Sequence, residues 1–126
     1  MKLAIVGSRD ITDFVLEPFV PIETTVIISG GAKGVDTLAE AYAKRHKLEF
    51  IVFKPEYDKY PGRIAPLKRN DQIVEACDMV LAIWDGESRG TYYTIKKARE
   101  MGKPVHIEYY DPKESRIDRI LKKLPF

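Results

Sequence analysis

At 126 residues, 44% of them hydrophobic and 32% charged, the chain has the size and composition of one folded domain, residues 1–126, and not of a disordered segment. No apolar run approaches the roughly 20 residues of a membrane helix, and a strand pattern begins at once with no signal-peptide composition ahead of it, so a cytoplasmic location is expected. The net charge of +2, from 21 basic and 19 acidic residues, is too balanced for bulk electrostatic attraction to nucleic acid, so any recognition of anions has to be local.

Five short runs rich in Val, Ile and Phe, at residues 3–6, 26–28, 50–53, 79–83 and 105–107, each predict a buried strand. The connection at 12–20 is short and broken by Pro18, with Pro21 just after it, which predicts a brief helix. Val35, Leu38, Ala39, Tyr42 and Ala43 then fall on one face of a helix before the third strand. The stretch 54–66 carries three prolines and two tyrosines and predicts a long loop following the third strand. Ile73, Val74 and Cys77 form a helical stripe before the fourth strand, and Thr91, Ile95 and Ala98 another before the fifth. Ile117, Ile120, Leu121 and Leu124 predict a solvated amphipathic helix over about 113–124, whose wet face carries Lys113, Arg116, Arg119, Lys122 and Lys123.

Strands alternating with helices imply an α/β doubly wound domain, a mainly parallel sheet of about five strands with helices on both faces. In the common order 3-2-1-4-5 the first and fourth strands are neighbours whose connections leave in opposite directions, and ligands bind at the carboxyl ends of such a pair. The single cysteine, Cys77, has no disulfide partner and sits at an apolar position in mid-helix, which predicts a small buried residue. No His or Cys stands at metal-ligand spacing from it, so no metal site is expected.

Four clusters fall at or beside strand ends. Gly7-Ser8-Arg9-Asp10 follows the first strand: glycine allows a sharp turn, Ser8 can donate to a phosphate oxygen, and Arg9 offers a charged fork; the alternative is a tight turn with a surface arginine. Ser29-Gly30-Gly31-Ala32-Lys33-Gly34-Val35-Asp36 opens the second connection, where backbone N–H groups at a helix start favour an anion. It is neither a Walker A loop nor the dinucleotide GxGxxG fingerprint. Asp36 is open to two roles, ribose or acid–base chemistry on one hand and the helix dipole on the other. Arg69-Asn70 suits phosphate and sugar, or an exposed helix surface. Trp84-Asp85-Gly86-Glu87-Ser88-Arg89-Gly90-Thr91 presents Ser88, the backbone of Gly90 and the Thr91 hydroxyl at a helix start, with Arg89 for charge. Tyr57, Tyr60 and Trp84 can stack on a base or pack at a strand rim.

Taken together, these clusters, with Ala39-Glu40, resemble the SLOG superfamily, and within it the small YspA/YpsA-related SLOG proteins, over about residues 1–107. The resemblance implies a Rossmann-like fold whose pocket takes nucleotides or derivatives such as ADP-ribose. It implies ligand or phosphate contacts at Gly7, Ser8, Arg9, Ser29, Gly30, Gly31, Ala32, Lys33, Gly34, Arg69, Asn70, Trp84, Asp85, Ser88, Arg89, Gly90 and Thr91. It also leaves a homo-oligomer open. The related LOG phosphoribohydrolases follow a Gly-Gly-x-Gly-Thr motif with catalytic glutamates, whereas here Gly90-Thr91 is followed by Tyr92, Tyr93 and Thr94. The DprA/Smf proteins share the Ser-Gly-Gly-Ala-x-Gly-x-Asp element and the Arg-Asn pair, and in them this region meets single-stranded DNA. The expectation is a binding or sensing module for a nucleotide-derived small molecule, with no required cofactor. The alternatives are an N-glycosidic hydrolase using Asp36, Glu40 or Asp85, and single-stranded DNA binding.

Overall fold

The structure is a computed structural model and describes residues 1–114, 116–122 and 124. Its strands are β1 (Lys2–Gly7), β2 (Val26–Ser29), β3 (Glu49–Val52), β4 (Met79–Trp84) and β5 (Val105–Tyr109). Its helices are α1 (Val35–Arg45), α2 (Ala65–Ala76), α3 (Arg89–Glu100) and the short α4 (Arg116–Leu121). All strand pairs are parallel and the order is β3-β2-β1-β4-β5, the doubly wound arrangement the sequence predicts.

β1 lacks any polar alternation because it is the middle strand and is covered on both faces. Leu3 and Ile5 face one way, with Ile27, Leu81 and Ile83, and pack under Val35, Ala39, Tyr42 and Ala43 of α1. Ala4 and Val6 face the other way, with Ile28, Val80 and Ala82, and pack under Ile73 and Val74 of α2 and Ile95 and Ala98 of α3. A side chain such as Ile5, wholly buried, contributes roughly 1.5–3 kcal/mol by leaving water. The α2 and α3 helices also touch each other through Tyr93, whose hydroxyl donates to Asp71 at 2.8 Å.

The predicted elements need five corrections. β3 and β5 are the edge strands, and most of their residues are partly exposed, since an edge has one neighbour and thinner cover. The predicted helix at 12–20 is an irregular segment ending in a 3-10 turn at Glu17–Phe19. Its buried Ile11, Phe14 and Leu16 fill the layer a crossover helix would occupy, and Pro18 and Pro21 lack the N–H groups a longer helix needs. Cys77 is buried as expected, but it caps the end of α2 and does not lie within it, its Sγ donating to the Val74 carbonyl at 3.4 Å. The loop after β3 ends at Ile64, because Pro66 sits in the first turn of α2, where its missing N–H costs nothing.

The last correction concerns the C-terminal segment. The helix is shorter than predicted, and among its described side chains the buried one is a cation. Ile117 and Leu121 are exposed, while Arg119 is buried. The Arg119 guanidinium stacks on Tyr110 at 4.3 Å and on Phe14 at 5.6 Å from the ring centres. It also donates to the carbonyls of Asp13, Asp111 and Glu114. Arg119 therefore does not belong to a wet face. Lys123 lies outside the described residues, as do the side chains of Arg116 and Ile120.

Candidate functional site

β1 and β4 end side by side, and the loops leaving them diverge, one toward α1 and one into α3. Between α2 and α3, over the end of β1, lies a cleft of about 260 Å³. Its apolar floor is Val6 and Ile73; α2 supplies Pro66, Leu67, Arg69 and Asn70 as one wall, and Ser88, Gly90, Thr91 and Thr94 of the α3 start form the other. Gly30, Ala32 and Asp36 close the α1 end, and Gly7 and Arg9 belong to the rim above β1. Arg63, from the loop before α2, completes the lining.

Arg69 is 7% exposed and held rigidly. Its Nε donates to Asn70 Oδ1 at 2.8 Å and its Nη1 donates to the carbonyl of Gly30. These bonds occupy two of its five N–H donors. Burial lowers the Arg69 pKa, and the nearby Asp36 charge works against that. Asp36 is the reciprocal case: burial raises its carboxyl above the ordinary carboxylate range, although the Ala32 N–H and the Arg69 charge pull it down. The Ala32 N–H donates to Asp36 Oδ2 at 3.0 Å, so Asp36 shapes the loop that opens α1.

The α3 start is built by Asp85. Its Oδ1 accepts the N–H groups of Glu87 and Ser88, both at 2.8 Å, which turns the chain into the helix. Burial acts to raise the Asp85 pKa, but these donors and the Ser8 hydroxyl outweigh it and the carboxyl is lowered. Ser88 is the N-cap, accepting the Thr91 N–H at 3.4 Å. Nothing lies within 4 Å of where a Cβ on Gly90 would be, so the first turn of α3 is open to a ligand.

Of the residues singled out in the sequence, ten meet in this cleft: Gly7, Arg9, Gly30, Ala32, Asp36, Arg69, Asn70, Ser88, Gly90 and Thr91. The others are placed elsewhere. Ser8 is buried, and its hydroxyl meets the Asp85 N–H at 3.4 Å while its carbonyl accepts from Ile11 and Val35. Ser29 is buried under the loop, its Oγ accepting from Gly31. Gly34 holds a positive φ of 71°, and a Cβ there would overlap the carbonyls of Ser8 and Arg9. Gly31, Lys33 and Arg89 are exposed outside the cleft lining. Trp84 donates from Nε1 to the Ser88 carbonyl at 3.0 Å, beside the cleft and not within it.

Neither Glu40 nor Asp85 lines the cleft. Glu40 lies four residues past Asp36, about 6 Å further along the helix, and forms an exposed pair with Lys44 at 3.9 Å. Tyr57 is exposed in the loop, and Tyr60 lies under the Lys68 ammonium. Sequence reasoning missed Val6, Arg63, Pro66, Leu67, Ile73 and Thr94. Arg63 had a signal, a cation in a loop expected to follow a strand end, whereas the apolar members read as ordinary core. Among the described residues no group of three or more His, Cys, Asp or Glu side chains is placed to hold a metal, and no helix is long and apolar enough to cross a membrane.

Comparison with known proteins gives the following likenesses. The model of a family described as YAcAr, the YspA, cpYpsA-related SLOG family, matches residues 1–60, which include the loops after β1 and β2 but neither Arg69 nor the α3 start. The Gene 61 protein of Mycobacterium phage D29 is 33% identical over 85 residues, 64% of this chain and 68% of that protein. Among solved structures, DNA processing protein A (DprA) from Streptococcus pneumoniae superposes with a TM-score of 0.68 at 23% identity. The match covers 96% of this chain and 54% of the DprA chain, so this chain spans about half the length of that neighbour.

Proposed function

Since the chain belongs to the YspA, cpYpsA-related SLOG family, we propose that the cleft between α2 and α3 binds the phosphate of a nucleotide or nucleotide-derived small molecule, such as a nucleoside monophosphate or ADP-ribose, in a sensing or ligand-binding module. One observation carries this reading. Arg9, Arg63 and Arg69 come from three separate parts of the chain to line one cleft, in which the described carboxylate is Asp36. Gathering like charges this way is unfavourable unless an anion offsets them, and guanidinium forks suit phosphate oxygens. The start of α3 adds N–H groups that have no carbonyl partner within the helix, and its dipole favours the same charge.

A thermal-shift screen with AMP, ADP, ATP, ADP-ribose, NAD and further nucleoside monophosphates tests the proposal, each mixture then being separated to look for products. Stabilisation with the ligand recovered intact is the expected result. Recovery of a free base or a ribose phosphate would instead establish the hydrolase reading, which Asp36 supports as a buried carboxyl at the cleft with its proton held more tightly than usual. The fold shared with a DNA processing protein makes single-stranded DNA the other ligand to try. Affinity that grows with strand length and falls steeply with salt would favour it over the mononucleotide.

A further inference from the structure

On the β5 side of α3, across that helix's first turn from the cleft, three aromatic side chains form a row. Trp84 ends β4, Tyr109 ends β5 in register with it, and Tyr92 lies in the opening turns of α3. The indole centre is 6.0 Å from the Tyr92 ring and 5.8 Å from the Tyr109 ring, with tilts of 33° and 36°. Such a row would ordinarily be core, yet Tyr92 is 54% and Tyr109 65% exposed. Two of the three side chains thus stand largely in solvent at the sheet edge, where burying them would contribute more.

The row is tied to the cleft by one residue. Trp84 donates to the carbonyl of Ser88, whose side chain lines the cleft. Tyr92 directly follows Thr91, which also lines it. At Gly90, which lines the cleft at the start of α3, no atom from elsewhere in the fold lies within 4 Å of where a Cβ would be. A mononucleotide is a phosphate and a planar aromatic base held a few ångströms apart by one sugar. The basic cleft and the adjoining row match those two ends.

We propose that the Tyr92–Trp84–Tyr109 row is the stacking surface for the base of the nucleotide whose phosphate the cleft holds. This rests on the phosphate reading of the cleft. It gives the site a preference for compounds that carry a base, with little discrimination among bases, since every base has a π-face.

Trp84 is the chain's single tryptophan, so its fluorescence reports on this surface directly. The experiment titrates the protein with AMP, GMP, CMP, UMP and ribose 5-phosphate, following Trp84 fluorescence and heat of binding, and repeats this with the double variant Tyr92→Ala, Tyr109→Ala. The four nucleotides should bind about tenfold more tightly than ribose 5-phosphate and perturb Trp84 emission. The variant should lose that preference and keep its affinity for ribose 5-phosphate. Equal binding of ribose 5-phosphate and nucleotides by the unaltered protein overturns the stacking surface while the cleft reading stands, and that comparison needs no variant. A variant that folds and keeps the preference overturns it equally. Binding of none of the five compounds overturns both readings.

Discussion

The Arg69 guanidinium on α2 donates to the carbonyl of Gly30, 39 residues earlier in the chain, and in doing so fixes the spacing between α2 and the loop that opens α1. The glycine is what allows it. A Cβ at position 30 would fall on the Arg69 guanidinium and within 3.1 Å of Asp36 Oδ2.

Gly30→Ala should therefore move a cleft-lining cation as well as strain the loop. Overpacking of this kind costs about 1–3 kcal/mol, to be read from urea unfolding. Phosphate affinity should fall together with stability, because Arg69 cannot hold its place. A variant as stable and as competent as the parent would mean that the guanidinium swings aside freely.

Arg9 and Arg63 line the cleft and are exposed, whereas Arg89 is exposed outside its lining. Arg9→Ala and Arg63→Ala should each weaken a phosphorylated ligand by about 1.5–3 kcal/mol, with stability unchanged to within about 0.5 kcal/mol. Arg89→Ala should have a much smaller effect on affinity. Isothermal titration of the three variants checks the order, and the largest loss at Arg89 would place the anion outside the cleft.

Asp36 has a folded-state pKa above its ordinary 3.8, burial being the largest cause. Below 3.8 the group is protonated in folded and unfolded chains alike. Between 3.8 and the folded value the unfolded chain has released this proton to water while the native state still holds it. The stability of the parent relative to Asp36→Asn should therefore decline over that window and level off above it. Paired unfolding curves from acid to neutral pH measure the difference; a relative stability that rises with pH would mean that Arg69 dominates and the shift has the opposite sign.

Arg119 combines stacking on two rings with donors to three carbonyls at a buried position. Arg119→Ala leaves those carbonyls without the donor and removes the stack, for which a loss of about 2–4 kcal/mol is expected. Hydrogen exchange should show the loss of protection concentrated in α4 and in the segment around Asp13. Arg119→Lys should recover only part of it, since an ammonium lacks the planar fork. Full recovery by lysine would reduce the role of Arg119 to charge.

The meaning of the glycines shows how far the sequence could be read. As a pattern, Gly7, Gly30 and Gly34 mark turns at strand ends that suit an anion. In the structure Gly7 and Gly34 are demanded by backbone contact: a Cβ on Gly7 would overlap the Ile83 carbonyl and the Val35 side chain, and one on Gly34 the Ser8 and Arg9 carbonyls. The composition of a turn does not distinguish an approaching ligand from an approaching strand, because both require the missing side chain. Ser8 has the same history, since its hydroxyl suits phosphate but lies against Asp85. Arg119 misled for the converse reason: a cation in a charged tail reads as solvated, and one of its carbonyl acceptors, Asp13, lies 106 residues earlier in the chain.

By itself the sequence determined the alternation of strands and helices, because apolar periodicity is a local property, and that alternation left few sheet orders, of which the common one is realised. It also determined that four polar clusters would gather at one sheet edge, since a parallel sheet puts every strand-to-helix turn at the same end. Only the tertiary structure decided which members of those clusters share a cleft, that Arg63 joins them, that Asp85 and Glu40 stay outside it, and that Trp84 meets two exposed tyrosines. Those outcomes depend on side-chain direction and on contacts between segments far apart in the chain, and no local pattern encodes either.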